Sequence, residues 1–236
     1  MTERSDRADR GYAICTSGRS GSNLLCQYLS STGMLGNPLE YFNGAGRRQF
    51  GQPDYPDDPS RQIDWILTAG ATPNGIYGVK IFPAQFDQVD KAIRWTDMLP
   101  NLAFVLLRRR DLLGQAISAV HAAQTGQWRS TMAAQGPAKY DGAQIYQRLQ
   151  GAVRDYARWD IFFARKGVEL TTIVYEDLLK DPQSVVDQVA ELFRLRGQAR
   201  AASRGIDLEI QRDAMTEEWR LRFLDEYRKL GALDLL

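Results

Sequence analysis

The sequence predicts an α/β protein with a central parallel sheet flanked by helices. Three observations predict it. Short apolar runs without strict alternation recur along the chain, as strands covered on both faces require. Each run is followed by apolar residues at helical spacing. The first run passes through a glycine- and serine-rich loop into a helix.

Residues 1–10 are expected to be a flexible tail, and residues 11–236 a single domain. Gly11–Thr16 is the first strand. Ser22–Thr32 carries Leu24, Leu25, Tyr28 and Leu29 at helical spacing, with Gly33 as its C-terminal cap. Residues 43–60, NGAGRRQFGQPDYPDDPS, are rich in Gly, Pro and Asp and read as a loop insertion. Pro59–Ala69 reads as a short helix, Ile76–Phe82 as a strand and Pro83–Trp95 as an amphipathic helix. Leu102–Leu107 (LAFVLL) is a continuous apolar run, hence a buried strand. Asp111–Gln124 is helical. Tyr140–Arg165 is a long helix with Ile145, Leu149, Val153 and Tyr156 on one stripe, suited to core packing or self-association as a homodimer. Glu169–Tyr175 is a strand, and Asp181–Phe193 and Thr216–Leu230 are helices.

Composition narrows the function classes. Hydrophobic residues make up 44% of the 236, enough for a sizeable core. The net charge of +1 rules out a global polyanion-binding footprint, so a nucleic-acid partner is not expected; the only basic cluster is Arg108–Arg110. No apolar run approaches the roughly 18 residues of a membrane span. The start, MTERSDRADR, is charged rather than signal-like. Two cysteines, Cys15 and Cys26, make no disulfide framework, and the expected compartment is a reducing cytoplasm. The lone His121 argues against a His-rich metal site, and no metal is expected.

The loop Ser17–Gly18–Arg19–Ser20–Gly21–Ser22 between strand and helix is the arrangement that a phosphate site needs. Glycines let backbone N–H groups turn toward an anion, and the helix terminus adds partial positive charge. Aligned on Gly21 with the nucleotide-triphosphatase pattern, Thr16 stands where the first glycine belongs and Ser22 where the lysine belongs. A Mg-nucleotide triphosphate site is therefore poorly supported. Arg19 supplies a planar fork in its place. A second basic site, Arg108 to Ser118 (RRRDLLGQAIS), leaves the end of a buried strand, at the edge where open α/β sheets bind ligands. Asp111 can cap the next helix, and Ser118 adds a hydroxyl. Two anion sites on one edge suggest a ligand with two separated phosphate-like groups.

Five segments carry a resemblance: Ser17–Asn23, the NPLEYF of Asn37–Phe42, the TPNGIYGVK of Thr72–Lys80, Arg109–Trp128 and the VYEDLLKDP of Val174–Pro182. In this order they resemble the carbohydrate sulfotransferases that use 3′-phosphoadenosine 5′-phosphosulfate, the bacterial trehalose 2-sulfotransferase type above all. The resemblance implies that Ser17, Gly18, Arg19, Ser20, Gly21, Ser22 and Asn23 hold the 5′-phosphosulfate, with Asn23 in place of the more usual Thr. It implies that Arg109 and Ser118 hold the 3′-phosphate, with Arg108 a neighbour. It also implies that Glu40 is the general base, that Lys80 is an active-site residue and that the acceptor is a carbohydrate hydroxyl.

Other readings stay open on the residues alone. Glu40 fits a surface carboxylate, Lys80 a strand-end ion pair and His121 a structural helix position. Trp128 and Arg129 fit an acceptor wall or, for Trp128, the core. Glu176 and Asp177 fit helix capping. A kinase with a degenerate phosphate loop and a non-catalytic nucleotide-binding relative are the rival functions.

Overall fold

A computed structural model describes residues 7–128, 132–202 and 214–228. The chain order is β1 (Arg10–Cys15), α1 (Ser22–Ser31), α2 (Gly44–Gln49), α3 (Pro59–Leu67), β2 (Ile76–Ile81), α4 (Pro83–Asp90), α5 (Trp95–Met98), β3 (Leu102–Arg108), α6 (Leu112–Thr125), α7 (Gly142–Lys166), β4 (Leu170–Val174), α8 (Tyr175–Lys180), α9 (Pro182–Glu191) and α10 (Ala214–Tyr227). The four strands form one parallel sheet in the order β2-β1-β3-β4.

Side-chain alternation along the strands divides the core into two layers. Ala13, Cys15, Tyr77, Val79, Phe104 and Leu106 face one side, against Trp95, Trp159 and Phe163. Tyr12, Ile14, Ile76, Val105, Leu107 and Ile173 face the other, against Leu25, Leu29, Val186 and Val189 of α1 and α9. A third cluster joins α6, α7 and α10 through Ile117, Val120, Ile145, Trp219 and Phe223. The aromatic stripe of α7 is thus core: Trp159 and Phe163 stack with ring centroids 6.0 Å apart. Local chemistry starts several helices. Asp58, Asp111, Asp141 and Asp181 each accept a backbone N–H at an N-cap, and Pro59 and Pro182 stand at the first helical position. No helix among the described residues is long and apolar enough to cross a membrane.

Three expectations change. The expected tail is not free over its last residues: Ala8 is buried and its N–H donates to Leu67 O, while Asp9 N–H donates to Gly75 O. Residues 1–6 lie outside the described residues. The 43–60 insertion contains a helix, α2, because Asn43 caps it by accepting from Gly46 N–H at 3.0 Å. Glu176 does not cap the helix that follows it; Asp181 caps α9, and Glu176 instead holds the Arg110 and Asp111 amides.

The sheet's edge strand is not left open. Leu39 bridges Val79 in parallel, Lys80 N–H donates to Leu39 O, and Gly78 N–H donates to Gly70 O. Trp95, fully buried, meets Phe42 and Phe86 edge-on at 5.5 and 5.4 Å and ties this edge to α4. Trp95→Ala is expected to cost about 3–5 kcal/mol, the usual range for emptying a buried aromatic site, read as a shift of the urea midpoint.

Candidate active site

A cavity of about 780 Å³ opens at the ends of β1, β2 and β3, where the loop before α1 meets α2, α6 and α7. Its floor is the Ser17–Asn23 loop. Arg19 (φ 60°) and Gly21 (φ 86°) both adopt left-handed backbone, which turns the chain sharply into α1. α1 begins at Gly21 with no side-chain cap, so the amides of its first turn are left for an incoming acceptor. Gly18 has open space where a Cβ would stand, whereas a Cβ on Gly21 would lie 2.1 Å from the Tyr175 ring. Thr16 fixes the loop from below, donating to Leu107 O at 2.9 Å and accepting from the Ser20 hydroxyl at 2.7 Å. Ser20, expected to face the anion, is instead fully buried under Thr16 and does not line the cavity.

Two guanidiniums converge above this floor. Arg19 Nε donates to Ser118 Oγ at 2.9 Å and Nη1 to Trp128 O at 2.6 Å. Arg109 stacks on the Tyr175 ring at 4.9 Å and donates to Arg19 O at 3.3 Å. Burial, then the nearby charge of Arg109, lower the Arg19 pKa. Two guanidiniums this close fit an anionic ligand, whose charge relieves the repulsion between them. The two anion sites read separately from the sequence are contiguous, since Arg19 spans from the loop to Ser118. Arg108 pairs with Asp160 and Arg110 with Asp177; neither lines the cavity.

The other wall carries Glu40 and Lys80. Lys80 is 3% exposed and projects toward the α1 side of the sheet, where Nζ donates to Asn23 Oδ1 at 2.5 Å and meets Glu40 Oε1 at 2.8 Å. Asn43 and Gln85 donate to Glu40 Oε2 at 3.0 and 3.3 Å. Burial pushes the Glu40 carboxyl up, but the Lys80 charge and the bonds from Lys80, Asn43 and Gln85 outweigh it, and its pKa is lowered. Glu40 is therefore a carboxylate at neutral pH. The Leu39–Val79 bridge accounts for the meeting, because it sets residue 40 beside residue 80.

The structure adds residues that sequence reading missed. Ser17 Oγ donates to Asp155 Oδ2 of α7 at 2.9 Å, so that hydroxyl proton points away from the loop's amides. Burial raises the Asp155 carboxyl, with Ser17, Arg158 and Arg154 offsetting only part of it. Gln115 donates to Gly18 O at 2.7 Å and receives Tyr156 Oη at 3.1 Å. Glu176 accepts from the Arg110 and Asp111 amides at 3.0 and 3.2 Å, which holds the turn that carries Arg109. The signal for α7 was present in the sequence: Arg148, Gly151, Ala152 and Asp155 share a helical face that adjoins the aromatic stripe. Trp128, 48% exposed, lines the cavity rather than the core. Arg129 lies outside the described residues. His121 does not line the cavity.

With this geometry the comparisons with known proteins agree. The family model of the Stf0 sulphotransferases matches residues 11–226. The chain belongs to the Stf0 sulphotransferase family. It is accordingly a sulfotransferase, which removes the kinase rival that the loop alone left open. A trehalose 2-sulfotransferase of Mycobacterium tuberculosis is 29% identical over 273 residues, covering 95% of this chain and 98% of that protein. One of Mycolicibacterium smegmatis is 25% identical over 263 residues, with 93% and 96% covered. The crystal structure of a sulfotransferase from Alicyclobacillus acidocaldarius shares the fold at a TM-score of 0.53 and 17% identity, covering 97% of this chain and 98% of that one.

The coupling of Glu40 to Lys80 has a measurable consequence. A carboxyl with a depressed folded pKa stabilises the fold above its unfolded value, about 4.3. That contribution is lost as pH falls through the lower folded value. Glu40→Gln leaves the Lys80 ammonium without its counter-charge and is expected to cost roughly 1–3 kcal/mol at pH 7. In thermal melts from pH 7 to pH 3, the gap between wild type and variant should close at the acid end.

Proposed function

We propose that this sulfotransferase moves the sulfuryl group of 3′-phosphoadenosine 5′-phosphosulfate to a hydroxyl of a carbohydrate. The observation that carries the reading is the joining of two walls by Lys80: it touches Asn23 at the anion-binding helix start and Glu40 on the opposite side of that contact. A base for an incoming hydroxyl and a cradle for a departing phosphate thus share one cation. The curated relatives are trehalose 2-sulfotransferases, and a sugar hydroxyl is the acceptor that their names support for this chain.

In this reading Arg109 and Ser118 hold the 3′-phosphate, while Arg19 and the amides of the Ser17–Asn23 loop hold the 5′-phosphosulfate. Glu40 takes the proton of the acceptor hydroxyl as its oxygen bonds to sulfur. The bond from sulfur to the bridging oxygen breaks, and the electron pair leaves on the 5′-phosphate. Arg19, Lys80 and the loop amides meet the charge that grows there. Little covalent work falls to the protein; positioning and charge stabilisation dominate, as in phosphoryl transfer. Glu40 is held ionised by Lys80, so the base is ready across neutral pH, at some loss of basicity. No metal enters this scheme.

Arg19→Ala and Arg109→Ala are each expected to weaken binding of adenosine 3′,5′-bisphosphate by about 1.5–3 kcal/mol in calorimetric titration, the range for a hydrogen bond to a charged group. Unchanged affinity in both overturns the donor assignment. Glu40→Gln should keep that affinity and slow transfer to sugar by about 10²-fold or more. A fully active Glu40→Gln removes Glu40 as base.

A further inference from the structure

Arg148, Gly151, Ala152 and Asp155 of α7 stand at i, i+3, i+4 and i+7, and all four line the cavity. Gly151 lies inside a 25-residue helix, where glycine is less favourable than alanine. Nothing about its own surroundings calls for glycine. Its φ is not left-handed, and a Cβ would meet no atom within 4 Å. What a side chain there would enter is the cavity.

Asp155, one turn on, is half-buried beside the anion loop. One oxygen receives Ser17 Oγ; among the described residues the carboxylate makes no other hydrogen bond and no ion pair. An ionised carboxylate only accepts hydrogen bonds, and it repels phosphate and sulfate. The phosphate and sulfate groups of the donor nucleotide therefore give no reason for its place. A polyhydroxylated ring does, because each hydroxyl offers a proton to such an oxygen.

We infer that this face of α7 is the wall that receives the acceptor sugar: Asp155 accepts a hydrogen bond from a ring hydroxyl, and Gly151 leaves room for the ring against the helix. The inference rests on the carbohydrate reading above. Asp155 is then an acceptor-binding residue whose link to Ser17 sets the sugar's distance from the phosphosulfate loop. Gly151 sets how wide a ring can enter.

The test uses the full chain, trehalose and a panel of other mono- and disaccharides as acceptors, with adenosine 3′,5′-bisphosphate as the donor-site probe. Asp155→Asn keeps the size and an oxygen for Ser17. It is expected to raise the acceptor KM about tenfold or more while nucleotide Kd stays within about twofold. Gly151→Leu should likewise raise acceptor KM with nucleotide Kd unchanged, and its melting temperature should not fall, since leucine favours helix over glycine. A structural role for Gly151 would instead lower the melting temperature. Normal acceptor KM in both variants, or a loss of nucleotide affinity with acceptor KM intact, overturns the inference while leaving the function in place. Wild-type protein that binds the bisphosphate and transfers to no sugar overturns the carbohydrate reading, and this inference falls with it.

Discussion

The site is organised around one buried ammonium. Lys80 lies on the edge strand of the sheet with 3% of its surface exposed, and an unpaired charge there is expensive. Glu40 and Asn23 compensate it from two different segments. Each partner is held in turn by the fold: Glu40 by the Leu39–Val79 bridge, Asn23 by the first turn of α1. Covering the edge of the sheet and building this wall of the cavity are thus the same act of packing.

Around that centre the charges are kept apart by geometry. Arg19 and Arg109 stand close enough to disfavour each other's charge, and the uncapped start of α1 adds further positive potential. Acidic residues steady these groups from behind. Glu176 grips the amides of the turn after β3, and Asp111 bonds Arg220 at 2.6 Å while capping α6. Tyr175 lies against Gly21 and beneath Arg109, so one ring spaces the two anion-binding elements. Asp155, like Glu40, is a carboxylate on the cavity side, and burial raises its pKa.

The cavity is closed by helices that serve the core and the cavity at once. α7 packs Trp159 and Phe163 into the core and turns Gly151 and Asp155 to the cavity. Trp159 Nε1 donates to Thr16 O at 3.0 Å, one turn on from Asp155, so neighbouring positions of α7 hold consecutive residues of the loop. α6 likewise buries Ile117 and Val120 and presents Gln115 and Ser118. Small changes in how α7 sits are therefore transmitted to the loop through a buried hydrogen bond rather than through solvent.

Local chemistry determined much of this protein by itself. The apolar runs specify the four strands, since strands buried on both faces need no alternation. Asp111, Asp58 and Pro182 mark helix starts through capping and fixed φ, and the Gly–Ser loop specifies an anion site because its residues are contiguous. Glu40, Lys80, Arg109 and Ser118 stood out as candidates through their motifs, and all four line one cavity. Tertiary structure alone decided the rest. Arg19 reaching Ser118 across 99 positions, Ser17 meeting Asp155 across 138, and Lys80 finding Glu40 depend on how strands pair and helices cross. Arg108, Arg109 and Arg110 look alike in sequence; which one enters the cavity is set by where the strand ends and by the acids, Asp160 and Asp177, that claim the others. Helix α2 was hidden because two glycines in six residues weaken its propensity and it has no apolar stripe, and one cap at Asn43, beside a carboxylate that Asn43 also bonds, starts it. Long-range partners are chosen by burial and charge in three dimensions, and spacing along the chain carries no record of that choice.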